Sequence, residues 1–217
     1  SELEFGFRLT KCKIIAITGT NGKSTTVKLI HNILKKSGKK VLMCGNYGLP
    51  LTKAAQVSHL LDYLIVEVSS FQLEFIDTFK PYIAIILNIT QDHLSWHGSF
   101  QEYKQAKLKI AKNLLNEGFL IRNLDEDYSV DAFNVIGFST YKDNVEAKVS
   151  QNSVTINFKE HFEIKNTKLI GAHNMQNIAA ASLASLICNV DKNTILEVVM
   201  NQETLPHRLE YVCEIEG

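Results

Sequence analysis

Lys13-Ile-Ile-Ala-Ile-Thr-Gly-Thr-Asn-Gly-Lys-Ser-Thr-Thr26 decides how the chain is read: a buried strand, a glycine-hinged loop and the start of a helix. Ile14, Ile15, Ala16 and Ile17 form a short, β-branched apolar run, as a strand covered on both faces requires. In the loop Gly19-Thr20-Asn21-Gly22, the two glycines permit a tight turn whose N–H groups point inward and cradle an anion. The following helix adds its own unpaired N–H groups and the positive end of its dipole. Lys23 sets a mobile charge beside the same anion, and Ser24 or Thr25 offers a hydroxyl to Mg²⁺. Together these groups are equipped to hold a nucleotide polyphosphate. The usual spacing Gly-x4-Gly-Lys-Ser/Thr is not met, because Ile17 stands at the first Gly position. Gly-Lys-Ser alone would be read as a turn with an exposed lysine; the strand before and the helix after favour phosphate binding.

Outward from this stretch, strands and helices alternate. Residues 23–37 have helical periodicity and stop at Gly38. Val41–Cys44, Tyr63–Ser69 and Ile83–Thr90 read as further strands, then a helix over about 100–116, then strands at Phe119–Arg122 and Val135–Phe138. The pattern predicts an α/β fold: a mostly parallel, doubly wound P-loop-type sheet flanked by helices. From about residue 145, Val145–Val149, Ser153–Phe158 and Phe162–Leu169 alternate apolar and polar residues, which predicts a small antiparallel sheet. Two helices follow, over about 174–189 and 192–202, before Pro206 breaks the pattern. Residues 1–12 read as a lead-in, 13–203 as one nucleotide-binding domain and 204–217 as the start of a linker. The chain opens on Ser1 and stops as Tyr211–Gly217 begins to read as a strand, so we expect a piece of a longer protein.

Composition excludes several classes. Lys plus Arg and Asp plus Glu number 23 each, so no global field recruits nucleic acid or a membrane surface. With 45% hydrophobic and 21% charged residues, the chain has the make-up of a soluble globular protein. No apolar run is long enough to span a bilayer, and the N-terminus lacks a signal-peptide pattern. Cys12, Cys44, Cys188 and Cys213 are widely spaced and read as reduced thiols of a cytoplasmic protein.

Ligands of open α/β sheets collect beyond the carboxyl ends of the strands, and three polar groups fall there. Glu67 interrupts the run Leu64-Ile-Val-Glu-Val68; it is either a metal ligand or a strand-end carboxylate reaching water. His93 follows Asp92 at the same rim and by itself is as readily structural as ligating. Lys107 lies within an apolar helical stripe of Phe100, Tyr103, Ile110, Ala111 and Leu114, while Lys109 and Lys112 point away. Desolvation favours a neutral amine there, able to take up CO₂ as a metal-binding carbamate. The residues by themselves favour a lysine that snorkels out along its stem.

Thr18-Gly-Thr-Asn-Gly-Lys-Ser-Thr25 resembles the shortened P-loop of the Mur ligases, ATP-dependent enzymes that build the peptidoglycan stem peptide. Folylpolyglutamate synthases look similar but typically carry Gly two residues after the Lys. Further family motifs occur in order: Gly45-Asn-Tyr-Gly-Leu-Pro50, Glu67-Val-Ser-Ser-Phe-Gln-Leu-Glu74, Asn88-Ile-Thr-Gln-Asp-His93, Tyr103-Lys-Gln-Ala-Lys-Leu-Lys109, His173-Asn-Met-Gln-Asn177 and Leu205-Pro-His-Arg-Leu-Glu210. The first two look most like the D-glutamate-adding branch.

The resemblance implies a central ATPase domain whose parent couples ATP to joining D-glutamate onto UDP-MurNAc-L-alanine, acting as a monomer. It implies that Lys23 holds the ATP phosphates and Ser24 a Mg²⁺. Glu67 and His93 would serve one metal, and carbamylated Lys107 a second. Asn46 and Ser69 would touch the uridine-linked substrate, Asn174 and Asn177 would approach adenine, and Arg208 would lie near the nucleotide. Ser95 departs from the family, which commonly has Asp there. The alternatives are another amide ligase of Mur or folylpolyglutamate type, or a nucleotide-binding regulatory module without ligation.

Overall fold

A computed structural model describes residues 1–114 and 116–203. Arg208 and its motif, Cys213, and the expected linker over 204–217 lie outside the described residues.

Among the described residues nine strands form one sheet: β1 (Lys13–Thr18), β2 (Val41–Gly45), β3 (Tyr63–Glu67), β4 (Ile83–Ile86), β5 (Phe119–Asn123), β6 (Asn134–Ser139), β7 (Ala147–Val149), β8 (Ser153–Phe158) and β9 (Glu160–Lys165). Their spatial order is β2-β3-β1-β4-β5-β6-β7-β8-β9. Neighbours from β2 to β7 pair in parallel, and β7–β8 and β8–β9 pair antiparallel. The antiparallel part is therefore an extension of the main sheet.

The β1 run explains why both faces are covered. Ile15 and Ile17 join one core with Val27, Ile30 and Leu34 of α2 (Lys23–Lys36) and with apolar residues of α7 (Ala172–Ile187) and α8 (Lys192–Asn201). Ile14 and Ala16 point the other way, into a second core. It holds Leu3 of α1 (Glu2–Leu9), Leu51 of α3 (Leu51–Ala55), Leu73 of α4 (Ser70–Glu74) and Tyr103 of α6 (Phe100–Leu108). Consecutive residues serve opposite faces, as strand geometry requires. The chain leaves β1 for β2 and β3 on one side and for β4 on the other, which puts the loop after β1 at the topological switch point of the sheet.

Several elements differ from their sequence-based expectation. Residues 2–9 of the lead-in form α1, whose Leu3 is fully buried. The helix expected over 100–116 ends at Leu108 and tightens to a 3₁₀ turn over Lys109–Ala111. Asn113 then donates to the carbonyls of Asp77 and Phe79 (2.7 and 3.1 Å), which pulls the chain off the helical path. β4 stops at Ile86, four residues short, because the next residues turn to grip the phosphate loop. The last strand covers Glu160–Lys165 in place of Phe162–Leu169, since its hairpin pairing with β8 already starts at Glu160. Helix α5 (Leu94–His97) is also new, while α2 ends beside Gly38 as its sequence predicts, with Lys39 N–H donating to Leu34 C=O.

Candidate nucleotide site

The loop between β1 and α2 is held from below and from both sides. Gly22 caps α2 in the left-handed region at φ 88°, where glycine carries no steric penalty. Space demands glycine as well: a Cβ there would lie 2.2 Å from Asn177 Oδ1. Asn177, on α7, thus buttresses the loop; it is buried and donates to Asn174 Oδ1 at 3.4 Å, while Asn174 donates to Ile170 C=O at 2.8 Å. Thr25 completes the first turn of α2.

Two ammonium groups converge on one carbonyl. Lys23 Nζ donates to Gly19 C=O (2.9 Å) and Thr20 C=O (3.0 Å), and Lys107 Nζ donates to the same Gly19 oxygen at 2.9 Å. Lys107 does not snorkel: it is 2% exposed, with its ammonium 4.7 Å from the Tyr103 ring centre. Burial above all, and then the Lys23 charge, push its pKa down to about 7, against an opposing pull from Asp92.

Beside them Glu67 ends β3 with 6% exposure, so it does not reach water as a free strand-end carboxylate. Ser24 Oγ donates to Glu67 Oε2 at 2.7 Å and Asn46 Nδ2 to Oε1 at 3.3 Å. Three residues from three separate motifs therefore meet at one carboxylate. Ser69 sits two residues on, as the N-cap of α4 in a capping box with Gln72. His93 holds the left-handed region at φ 51° at the start of α5, its Nε2 lies 3.5 Å from Asp92 Oδ2, and its ring packs 5.0 Å from Phe71. Among the described residues no three His, Cys, Asp or Glu side chains converge as a ready metal cluster.

Sequence reading gave Tyr103 only an apolar packing role and assigned none to Ser70, His97 or Asn88, all of which build this site. The Tyr103 hydroxyl bonds Oγ1 of the loop residue Thr20 at 3.0 Å, which ties the loop to α6. His97 Nε2 pairs with Ser70 Oγ at 3.0 Å, and its ring stacks on Phe71. Asn88 grips the loop backbone. These partners sit 27 to 83 residues apart along the chain, and no local periodicity signals them.

The family profile described as Mur ligase middle domain matches residues 17–185. The chain belongs to the Mur ligase family. Among curated relatives it is 38% identical to a UDP-N-acetylmuramoylalanine–D-glutamate ligase of Lactococcus lactis subsp. cremoris strain SK11 over 224 residues, covering 100% of this chain and 49% of the relative. It is 39% identical to the protein of that name in Caldicellulosiruptor bescii, covering 100% of this chain and 50% of the relative. This Mur ligase chain thus spans about half the length of the relatives it matches. Solved Mur ligases share its fold. A UDP-N-acetylmuramoyl-L-alanyl-D-glutamate–2,6-diaminopimelate ligase superposes with TM-score 0.77 at 20% identity, over 99% of this chain and 51% of that one. A MurF ligase of Thermotoga maritima in complex with ADP gives 0.68 at 17% identity, over 94% and 51%.

Proposed function

We propose that the protein is the D-glutamate-adding Mur ligase, which joins D-glutamate to UDP-MurNAc-L-alanine in peptidoglycan precursor synthesis. The observation that carries this reading is the identity of 36–39% to ligases of that name over the whole chain. The γ-phosphoryl group of ATP passes to the carboxylate of the L-alanyl substrate, giving an acyl phosphate and ADP. The D-glutamate amine then attacks the acyl carbon; the C–N bond forms, the C–O bond to phosphate breaks, and the amine loses its proton. Such transfer needs positioning and charge neutralisation more than covalent help from the protein.

The residues fit these roles. Lys23, at the end of the loop, would meet the phosphates, with the N–H groups that open α2 around them; the N–H groups of Thr20 and Asn21 already donate to Asn88. The buried Glu67 carboxylate with the Ser24 hydroxyl and the Asn46 amide is an oxygen-rich set of the type hard divalent cations select. Ser24 and Glu67, with His93, would hold one Mg²⁺, and Lys107 as a carbamate would hold a second; bound Mg²⁺ neutralises phosphate charge. Burial of the Lys107 amine supports the carbamate assignment. Asn46 and Ser69 would meet the uridine-linked substrate, Asn174 and Asn177 the adenine end, and Arg208 the nucleotide. Among the described residues no helix is long and apolar enough to cross a membrane. On the family reading the enzyme would work in the cytoplasm as a monomer.

ADP release by the full-length protein, given UDP-MurNAc-L-alanine, Mg-ATP and a panel of amino acids, tests the reading. Release that depends on D-glutamate is expected. Preference for meso-diaminopimelate or L-glutamate, or nucleotide binding without turnover on any muramyl substrate, overturns it. Residues 1–217 alone should bind nucleotide without ligating.

A further inference from the structure

Asn88 lies just past the end of β4, and it reaches the phosphate loop through three hydrogen bonds. Its carbonyl oxygen accepts from Thr20 N–H at 2.9 Å. Its side chain then takes both polar groups of the next residue: Oδ1 accepts from Asn21 N–H at 2.9 Å and Nδ2 donates to Asn21 C=O at 3.1 Å. A carboxamide carries one acceptor and one donor head side by side, so it can replace a strand partner for a single residue. Two residues on, Thr90 N–H donates to Thr20 Oγ1 (3.0 Å) and Thr20 Oγ1 donates to Thr90 C=O (3.1 Å). From the far side Glu126 accepts Ile89 N–H with both carboxylate oxygens at 3.0 Å. Residues 88–90 are thus fixed between Glu126 and the loop.

This arrangement decides which peptide groups a phosphate can meet. The N–H groups of Thr20 and Asn21 are committed to Asn88. The N–H groups that open α2 have no acceptor within their own helix, and they lie where the dipole favours an anion. We propose that Asn88 is a positioning residue of the nucleotide site: it fixes the loop so that the N-terminal end of α2 faces the terminal phosphates of a nucleoside polyphosphate. The proposal rests on the phosphate-site reading given above, and it concerns phosphate recognition alone, not the base or the amino-acid substrate.

The test compares AMP, ADP and ATP, each with Mg²⁺, as calorimetric dissociation constants in the full-length wild type, Asn88→Ala and Asn88→Asp, beside thermal midpoints. Asn88→Ala removes both side-chain bonds; Asn88→Asp keeps the acceptor and loses the donor to Asn21. In the wild type, affinity should climb from AMP to ATP. In Asn88→Ala that climb should shrink at least tenfold while AMP affinity stays within twofold, and Asn88→Asp should fall between the two. If Asn88→Ala does not fold, the Asp variant is judged by the same climb. A folded variant with the wild-type climb, or one that loses AMP and ATP affinity equally, overturns the proposal, because a merely structural role would lower all three alike. A wild type that binds none of the three overturns the phosphate-site reading and this inference with it.

Discussion

Gly22 is the residue on which the loop, α2 and α7 all depend. Any other side chain there meets two costs: a left-handed backbone, on the order of 1–2 kcal/mol for an L-residue, and a Cβ 2.2 Å from Asn177 Oδ1. Gly22→Ala should therefore lower the thermal midpoint by several degrees and abolish the stabilisation by Mg-ATP. Adding Asn177→Ala should recover the part due to the clash but not the part due to the backbone. A single Gly22→Ala variant as stable and as responsive as wild type would refute this account. At this scale the legible residues were those that break a local pattern. Glu67 is a charge inside a β-branched run, and Lys107 is a charge inside an apolar stripe. Both are buried as those breaks suggest, although the sequence alone favoured a snorkelling Lys107 because it could not show Gly19 C=O waiting 2.9 Å away. Asn88 and His97 break no pattern. Their roles come from partners brought near by folding, so only the folded chain reveals them.

Elements tell the same story through length. The strands follow from short apolar runs and from alternation over about four to eight residues, and the long helices α2, α7 and α8 from an apolar period repeated over several turns. Helices α4 and α5 have only five and four residues, below any length stable in isolation. Tertiary contacts hold them together. Phe71 of α4 packs its ring 5.4 Å from Trp96 and 5.5 Å from His97, Trp96 Nε1 donates to Glu74 Oε2 at 3.0 Å, and His97 pairs with Ser70. Helix α1 is anchored differently, by Glu4. That carboxylate accepts from the N–H groups of Asp77, Thr78 and Phe79, the Thr78 hydroxyl and Arg8. Burial pushes its pKa up, but these hydrogen bonds, led by Thr78, outweigh burial and hold it at about 2, below its ordinary 4.5. The folded chain keeps Glu4 ionised where the unfolded chain protonates it. Its stabilisation is therefore complete above about pH 4.5 and is lost as the pH falls through about 2. Glu4→Gln leaves several buried donors poorly matched and should cost about 2–4 kcal/mol at pH 7. The gap in midpoint between wild type and Glu4→Gln should hold from pH 7 to about pH 5 and narrow from there to pH 3; a gap that stays constant down to pH 3 would exclude Glu4 ionisation as the anchor.

For the molecule as a whole, the alternation of strands and helices was enough to predict a parallel sheet, and the glycine loop was enough to put a candidate phosphate site beyond the carboxyl end of the first strand; the switch point itself is read from the strand order. The continuation through β7, β8 and β9 was legible as strands but not as part of the same sheet, since alternation reports a strand's faces and not its neighbours. The consequence of this architecture is that one loop joins both faces: β1 is packed between two cores, and the loop leaving it touches α6, α7 and the β4 turn. Ligand binding there should be felt by the entire domain. Mg-ATP at a hundred times its dissociation constant stabilises a folded state by about 2.7 kcal/mol, or roughly 5–11 °C at this size. Residues 1–217 should show such a shift, and Lys23→Ala should lose it. Because Lys23 also bonds the carbonyls of Gly19 and Thr20, the variant's own midpoint should drop slightly, so the shift and not the midpoint is the quantity to compare. A shift retained in Lys23→Ala would place the phosphates elsewhere. No shift in either protein, together with a shift in the full-length protein, would mean that this domain forms the phosphate site but needs the rest of the chain to close it.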